Sequence, residues 1–205
     1  MKKTLAILFV LLPPLYAFSQ GDLNFDNFSG SSGPVPVTIS DGLGTFNPTN
    51  GSGGAYVGAD YTASLYFLNG VVTNQAVFDS SNPILSPSAD TRFLGTTSTG
   101  PGSNGGFFDG GIAYLPTSGV VTVQVRAWYN GGGLYTSYAQ ALADGQNVGE
   151  SNPVSLTLAL GASQPPFLDG LSPFTVGVVP EPSVYMLLGL GGLLLFRQRK
   201  IALRS

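Results

Sequence analysis

The sequence predicts an all-β fold, a single β-sandwich or jelly-roll-like domain of short strands. Three observations predict it. Between the chain ends, apolar residues recur at a period near two, as in strands buried on one face. The 29 glycines and 15 prolines among 205 residues are about a fifth of the chain, turn-rich yet below the ~25–30% of unstructured low-complexity chains. No amphipathic helix of three turns can be traced through the body.

Taken in order, strands are expected at Leu23–Phe28, Val35–Ile39, Tyr61–Leu68, Gln75–Phe78, Thr91–Leu94 and Ile112–Leu115. In the third, Tyr61, Ala63, Leu65 and Phe67 face together. The clearest strand is Val121–Tyr129, with Val121, Val123, Val125, Ala127 and Tyr129 on one face and Thr122, Gln124, Arg126 and Trp128 on the other. Tyr138 to Asp144 suits one or two helical turns stopped by Gly145. Val154–Leu160 alternates leucines and valine against Ser155, Thr157 and Ala159, and Phe174–Val178 closes the set. Gly, Pro, Asn, Asp and Ser clusters separate nearly all of these runs. Gly51–Gly54 and Thr96–Gly106 read as mobile surface loops, too poor in apolar area to offset ordering. Thirteen phenylalanines supply large areas for a core.

Composition excludes much chemistry. The chain has no Cys and no His, which removes disulfides, thiolate metal sites, Ser-His-Asp catalysis and zinc hydrolases. Between Gln20 and Pro182 all eleven acids stand against only Arg92 and Arg126, a net charge of −9 where the whole chain reads −3. Such a body cannot neutralise a phosphate backbone, so nucleic acid is rejected as a partner.

The other basic residues flank apolar runs at the two ends. Met1-Lys2-Lys3 followed by the apolar stretch Thr4–Tyr16, then Ala17 and Ser19 at −3 and −1, reads as a cleavable signal peptide over residues 1–19. Pro13-Pro14 argues against a core helix there. The body then occupies 20–178 and a third segment occupies 179–205. That segment runs Val179-Pro180-Glu181-Pro182-Ser183, then an uncharged stretch at 184–196, then Arg197-Gln198-Arg199-Lys200. Pro182 suits a first helical turn. A helix over 184–196 is about 20 Å long against a hydrocarbon core of about 30 Å, a short transmembrane span. Arg197, Arg199 and Lys200 form a basic stop that stays cytoplasmic.

These three parts, in this order, resemble the PEP-CTERM sorting signal of Gram-negative bacteria. The resemblance implies recognition by an exosortase, a membrane-embedded cysteine protease or transpeptidase, with Pro180, Glu181 and Pro182 as recognition residues. It implies a protein that is exported, transiently anchored in the inner membrane, and then delivered to the cell surface or outside, often among exopolysaccharide. The prolines keep the backbone extended, and the charge of Glu181 holds the site at the water interface.

Within the body no enzyme is expected. Gly100-Pro101-Gly102-Ser103-Asn104-Gly105 matches a dinucleotide fingerprint by letter, but it follows a Thr/Ser loop and opens no helix. No carboxylate pair is singled out for glycoside hydrolysis. No cofactor is expected either. Asp22 and Asp26, with Asn24, Asn27 and Asp109, are weak calcium candidates; turn formation is the favoured reading of these residues. The expected function is that of a non-enzymatic exported surface or extracellular matrix protein; the alternative is a carbohydrate-binding or adhesive module of the exopolysaccharide matrix. Trp128 beside Arg126, with Tyr129, Tyr135 and Tyr138 nearby, would be its sugar platform, set against simple packing of the indole.

Overall fold

The structure is a computed structural model and describes residues 20–31, 33–39, 56–95, 105–161 and 163–178. The expected signal peptide, the 179–205 tail, the Gly51–Gly54 loop and nearly all of the fingerprint-like run lie outside the described residues.

The described chain is all-β, with two short helices. Its strands are β1 (Gly21–Asp26), β2 (Val37–Ile39), β3 (Tyr61–Asn69), β4 (Ile84–Arg92), β5 (Asp109–Leu115), β6 (Val120–Tyr129), β7 (Asn147–Glu150), β8 (Val154–Thr157) and β9 (Phe174–Val178). The helices are α1 (Gln75–Ser80) and α2 (Tyr138–Ala143). Two sheets result. One is the antiparallel pair β1–β5; the other has seven strands in the order β2-β9-β7-β6-β3-β4, with β8 joined to β6.

Strand β6 organises the large sheet. One of its edges pairs with β3 from Val121 to Tyr129. Its other edge is divided, Val120–Val123 pairing with β8 and Arg126–Trp128 with β7. The apolar face foreseen for β6 is the one turned to the main core. Val121, Val123, Val125 and Ala127 join Leu65 and Phe67 of β3, Leu23 and Phe25 of β1, and Leu115 of β5 in a single core. Both sheets therefore share one apolar interior. Phe108 ties them further, its ring 4.8 Å from Phe25 and 5.5 Å from Phe93.

Several expectations need correction. Gln75–Phe78 is helical, because the Asn74 side chain accepts the Val77 N–H at 3.3 Å and caps α1. Only Phe78 of that helix is buried. The run Val154–Leu160 is not one strand. It leaves β6 after Thr157, and Ala159 then bridges to Asp22 of the small sheet. Leu160 is consequently half exposed. The end of the expected Thr96–Gly106 loop is part of the interior: Gly105 and Gly106 are buried. The Gly106 N–H donates to the Val57 carbonyl at 2.7 Å, and its own carbonyl accepts from Val37 at 2.9 Å. At φ +84°, with a would-be Cβ 2.8 Å from the Val37 oxygen, that position needs glycine. The expected turns at Tyr138–Asp144 are α2, capped by Ser137 and ended before Gly145 at φ +66°.

Candidate functional site

Among the described residues, the outer face of the large sheet holds the one strongly charged cluster, and β6 builds it. Strand alternation sends Thr122, Gln124, Arg126 and Trp128 to the face opposite the core. There α2 lies against β6 and β7, and side chains of α1 reach Arg126 and Glu150. Thr122, Gln124 and Trp128 are buried and Arg126 is half-buried, although three of the four are polar.

Arg126 is the hub. Its Nη2 lies 2.8 Å from Asp79 Oδ1 of α1, and its Nε lies 3.3 Å from Glu150 Oε1 of β7. Its Nε also donates to Gln124 Oε1 at 2.8 Å. The guanidinium sits 4.5 Å from the Tyr66 ring centroid and 5.3 Å from that of Tyr138, within cation–π range. Gln75 Nε2 donates to both Asp79 oxygens and to Glu150 Oε2, at 3.0–3.2 Å. All four carboxylate oxygens are thereby engaged. Burial pushes the Tyr138 hydroxyl above the ordinary 10.0; the charge of Glu150 and a hydrogen bond to it push the same way, and Arg126 opposes them. Burial likewise raises Tyr66, against the lowering effect of Arg126.

This constellation binds itself. One cation meets two carboxylates and an amide oxygen, so the cluster clips α1, α2, β6 and β7 together. Sequence reading found Arg126 and missed Asp79, Glu150, Gln75 and Tyr66. A signal existed: one of two arginines in a body of net charge −9 must meet acids if it is buried.

Trp128 is no open platform. It is 2% exposed and packs with Tyr138, Ala141, Val148 and Tyr135. Its indole N–H donates to the Tyr135 carbonyl at 3.0 Å. The structure does bring Arg126 and Trp128 to one face, but underneath α2 rather than in solvent.

The calcium candidates are dispersed. Asp22 and Asp26 stand four residues apart on β1, about 13 Å at strand spacing, whereas one Ca²⁺ needs oxygens at about 2.3–2.6 Å. Asp26 Oδ1 accepts the N–H groups of Phe28 and Ser29, a turn. Asn24 donates to the Pro165 carbonyl at 3.0 Å. Asn27 donates to Val35 and Gly106 and accepts from Phe108, all within 2.8 Å. Asp109 accepts from Gly111 at 3.0 Å. Among the described residues no group of three or more acidic side chains is placed to hold a metal, and no helix is long and apolar enough to cross a membrane.

The remaining candidates, Pro180, Glu181, Pro182, Arg197, Arg199 and Lys200, lie outside the described residues. Their placement along the chain is nonetheless informative. Strand β9 ends at Val178, held parallel to β2 and antiparallel to β7, so the Pro-Glu-Pro run begins two residues beyond the last strand. No curated protein and no solved structure matches the chain. A family comparison does: residues 178–200 match the PEP-CTERM protein-sorting motif, so the chain carries at its end the signal of a protein exported and sorted through the membrane by an exosortase.

Proposed function

We propose that this chain is a non-enzymatic surface or extracellular matrix protein. Its body is a single sandwich-type domain that travels as passenger between two removable ends. The observation that carries this reading is the abutment of fold and signal: the sorting motif match starts at the last residue of β9. On this reading the exosortase recognises Pro180, Glu181 and Pro182. The apolar stretch at 184–196 holds the substrate transiently in the inner membrane, with Arg197, Arg199 and Lys200 on the cytoplasmic side. Residues 1–19 serve as the export leader. A cut just beyond Val178 would remove nothing that the two sheets use. The self-satisfied Arg126 cluster supports a body without catalysis, and burial of Trp128 takes away the platform on which sugar binding would rest.

The test is intact-mass analysis of the full-length chain expressed in a host with and without its exosortase. With the enzyme, released protein should begin at Gln20 and end near Pro180–Pro182. Without it, the chain should keep Ser205 and fractionate with membranes. Protein that retains Ser205 and stays in the lipid phase in both hosts would overturn the proposal. Glu181→Ala should slow processing without changing the stability of the body.

A further inference from the structure

The amino end of the body carries a chemical consequence independent of the tail. Gly21 opens β1 and is gripped at once. Its N–H donates to the Thr117 carbonyl at 2.7 Å. A Cβ there would stand 2.5 Å from the Leu158 Cβ, so the strand is pressed against that side chain. One residue on, Asp22 and Ala159 exchange both backbone hydrogen bonds at 3.1 Å. Asn24 N then donates to the Pro166 carbonyl at 2.8 Å. From Gly21 onward the chain is thus locked on both sides of β1. Gln20 precedes the lock and is exposed.

We propose that Gln20 becomes the first residue of the exported protein and closes on itself as pyroglutamate. The proposal rests on the leader ending at Ser19, as in the function proposed above. In the step, the freed α-amino nitrogen attacks Cδ of its own side-chain amide. The N–Cδ bond forms, the Cδ–Nε2 bond breaks, and Nε2 departs as ammonia with a proton from the amine. A five-membered lactam remains; no oxidant, cofactor or second substrate is consumed. An α-amine loses its proton at about pH 7.7–8.0, so a share of it is nucleophilic near neutrality. Exposure leaves the Gln20 side chain free to fold back, while the grip on Gly21 keeps the reacting residue outside the sheet.

The product matters because of what lies just behind it. β1 delivers Leu23 and Phe25, both fully buried, to the shared core. Exopeptidase trimming from a free end would remove that strand residue by residue, and terminal residues are where such attack begins. A lactam has no free amine for an aminopeptidase to engage. In a chain without cysteine, where no disulfide can hold β1 in place, a blocked first residue secures the strand.

The experiment is peptide mapping of the full-length chain secreted from its exporting host, taken directly from the medium, beside Gln20→Ser. Support is an N-terminal peptide starting at residue 20 and lighter than the glutamine form by one ammonia, resistant to aminopeptidase until a pyroglutamyl peptidase is added. The Gln20→Ser protein should show no such loss and should be trimmed. An N-terminal peptide with intact glutamine at residue 20 overturns the cyclisation and leaves the leader assignment standing. A peptide that starts at any other residue overturns both. Equal resistance of the two proteins to aminopeptidase overturns the protective role.

Discussion

Strand β6 is buried on both faces, but the two faces are buried in different ways. Toward β1 and β5 it presents Val121, Val123, Val125 and Ala127, which need only be covered. Toward α1 and α2 it presents Thr122, Gln124, Arg126 and Trp128, each of which needs a named partner. Thr122 Oγ1 donates to Gly70, accepts from Val72 and meets Ser155, all within 2.9 Å. Gln124 donates to the Ser151 carbonyl at 3.0 Å. The apolar face is non-directional, and area sets its strength. The polar face is directional: it returns little net energy per bond, yet it is costly to leave unmade. The comparison teaches that one face of β6 supplies stability while the other fixes where the helices sit.

Substitutions can break or sharpen that contrast. Phe67→Ala, on the core face of β3, should cost about 3–5 kcal/mol in urea unfolding of the body. Arg126→Met should cost less, about 1–2 kcal/mol, because Asp79 and Glu150 are 39% and 26% exposed and water can take over part of their solvation. Its sharper effect should be faster amide exchange in α1 and α2 with the β3–β6 ladder still protected. Equal losses in the two variants, or exchange spread evenly over both faces, would erase the distinction.

Alkaline pH probes the outer face chiefly through Tyr138. In the fold, burial first, then the charge of Glu150, holds the Tyr138 proton more tightly than in the unfolded chain, which releases it near 10.0. Stability should therefore be full below that value and fall as pH rises past it, by about 1.4 kcal/mol per unit for this group. Tyr138→Phe should remove this loss; Tyr61 and Tyr66, also raised by burial, should leave a remainder. An unchanged alkaline limb in the variant would mean that Tyr138 is not held as described. The smallest expected effect is Trp128→Phe, about 1 kcal/mol for one lost indole hydrogen bond. It should appear as a small drop in melting temperature with the core intact.

Legibility in the sequence followed the same division. Strands whose buried side chains alternate over several residues were readable: β3, β6 and β9 lie within a residue of their expected spans. β7 was missed because Asn147, Val148, Gly149 and Glu150 include a single buried apolar residue, so it carries no period. Most of β4 was missed because Pro87 interrupts it, which an outermost strand tolerates and a central one does not. Gln75–Phe78 has too few residues to tell period two from 3.6, and the deciding feature, the Asn74 cap, lies outside the apolar pattern. At the charged cluster, Arg126 could be found and its partners could not. Asp79 is 47 positions away in sequence and Glu150 sits on an unread strand. Only the fold sets such distances.

The place of β9 has a mechanical consequence. The strand lies inside the large sheet, its Phe174–Val176 stretch paired with β2 and its Gly177–Val178 end paired with β7. Tension applied from the carboxyl end would run along the strand axis and reach the β7 pairs at Gly177 and Val178 before the β2 pairs behind them. A strand at the rim could instead be peeled away one bond at a time. A pull on Val178 would therefore load an interior strand along its axis rather than peel one from the rim.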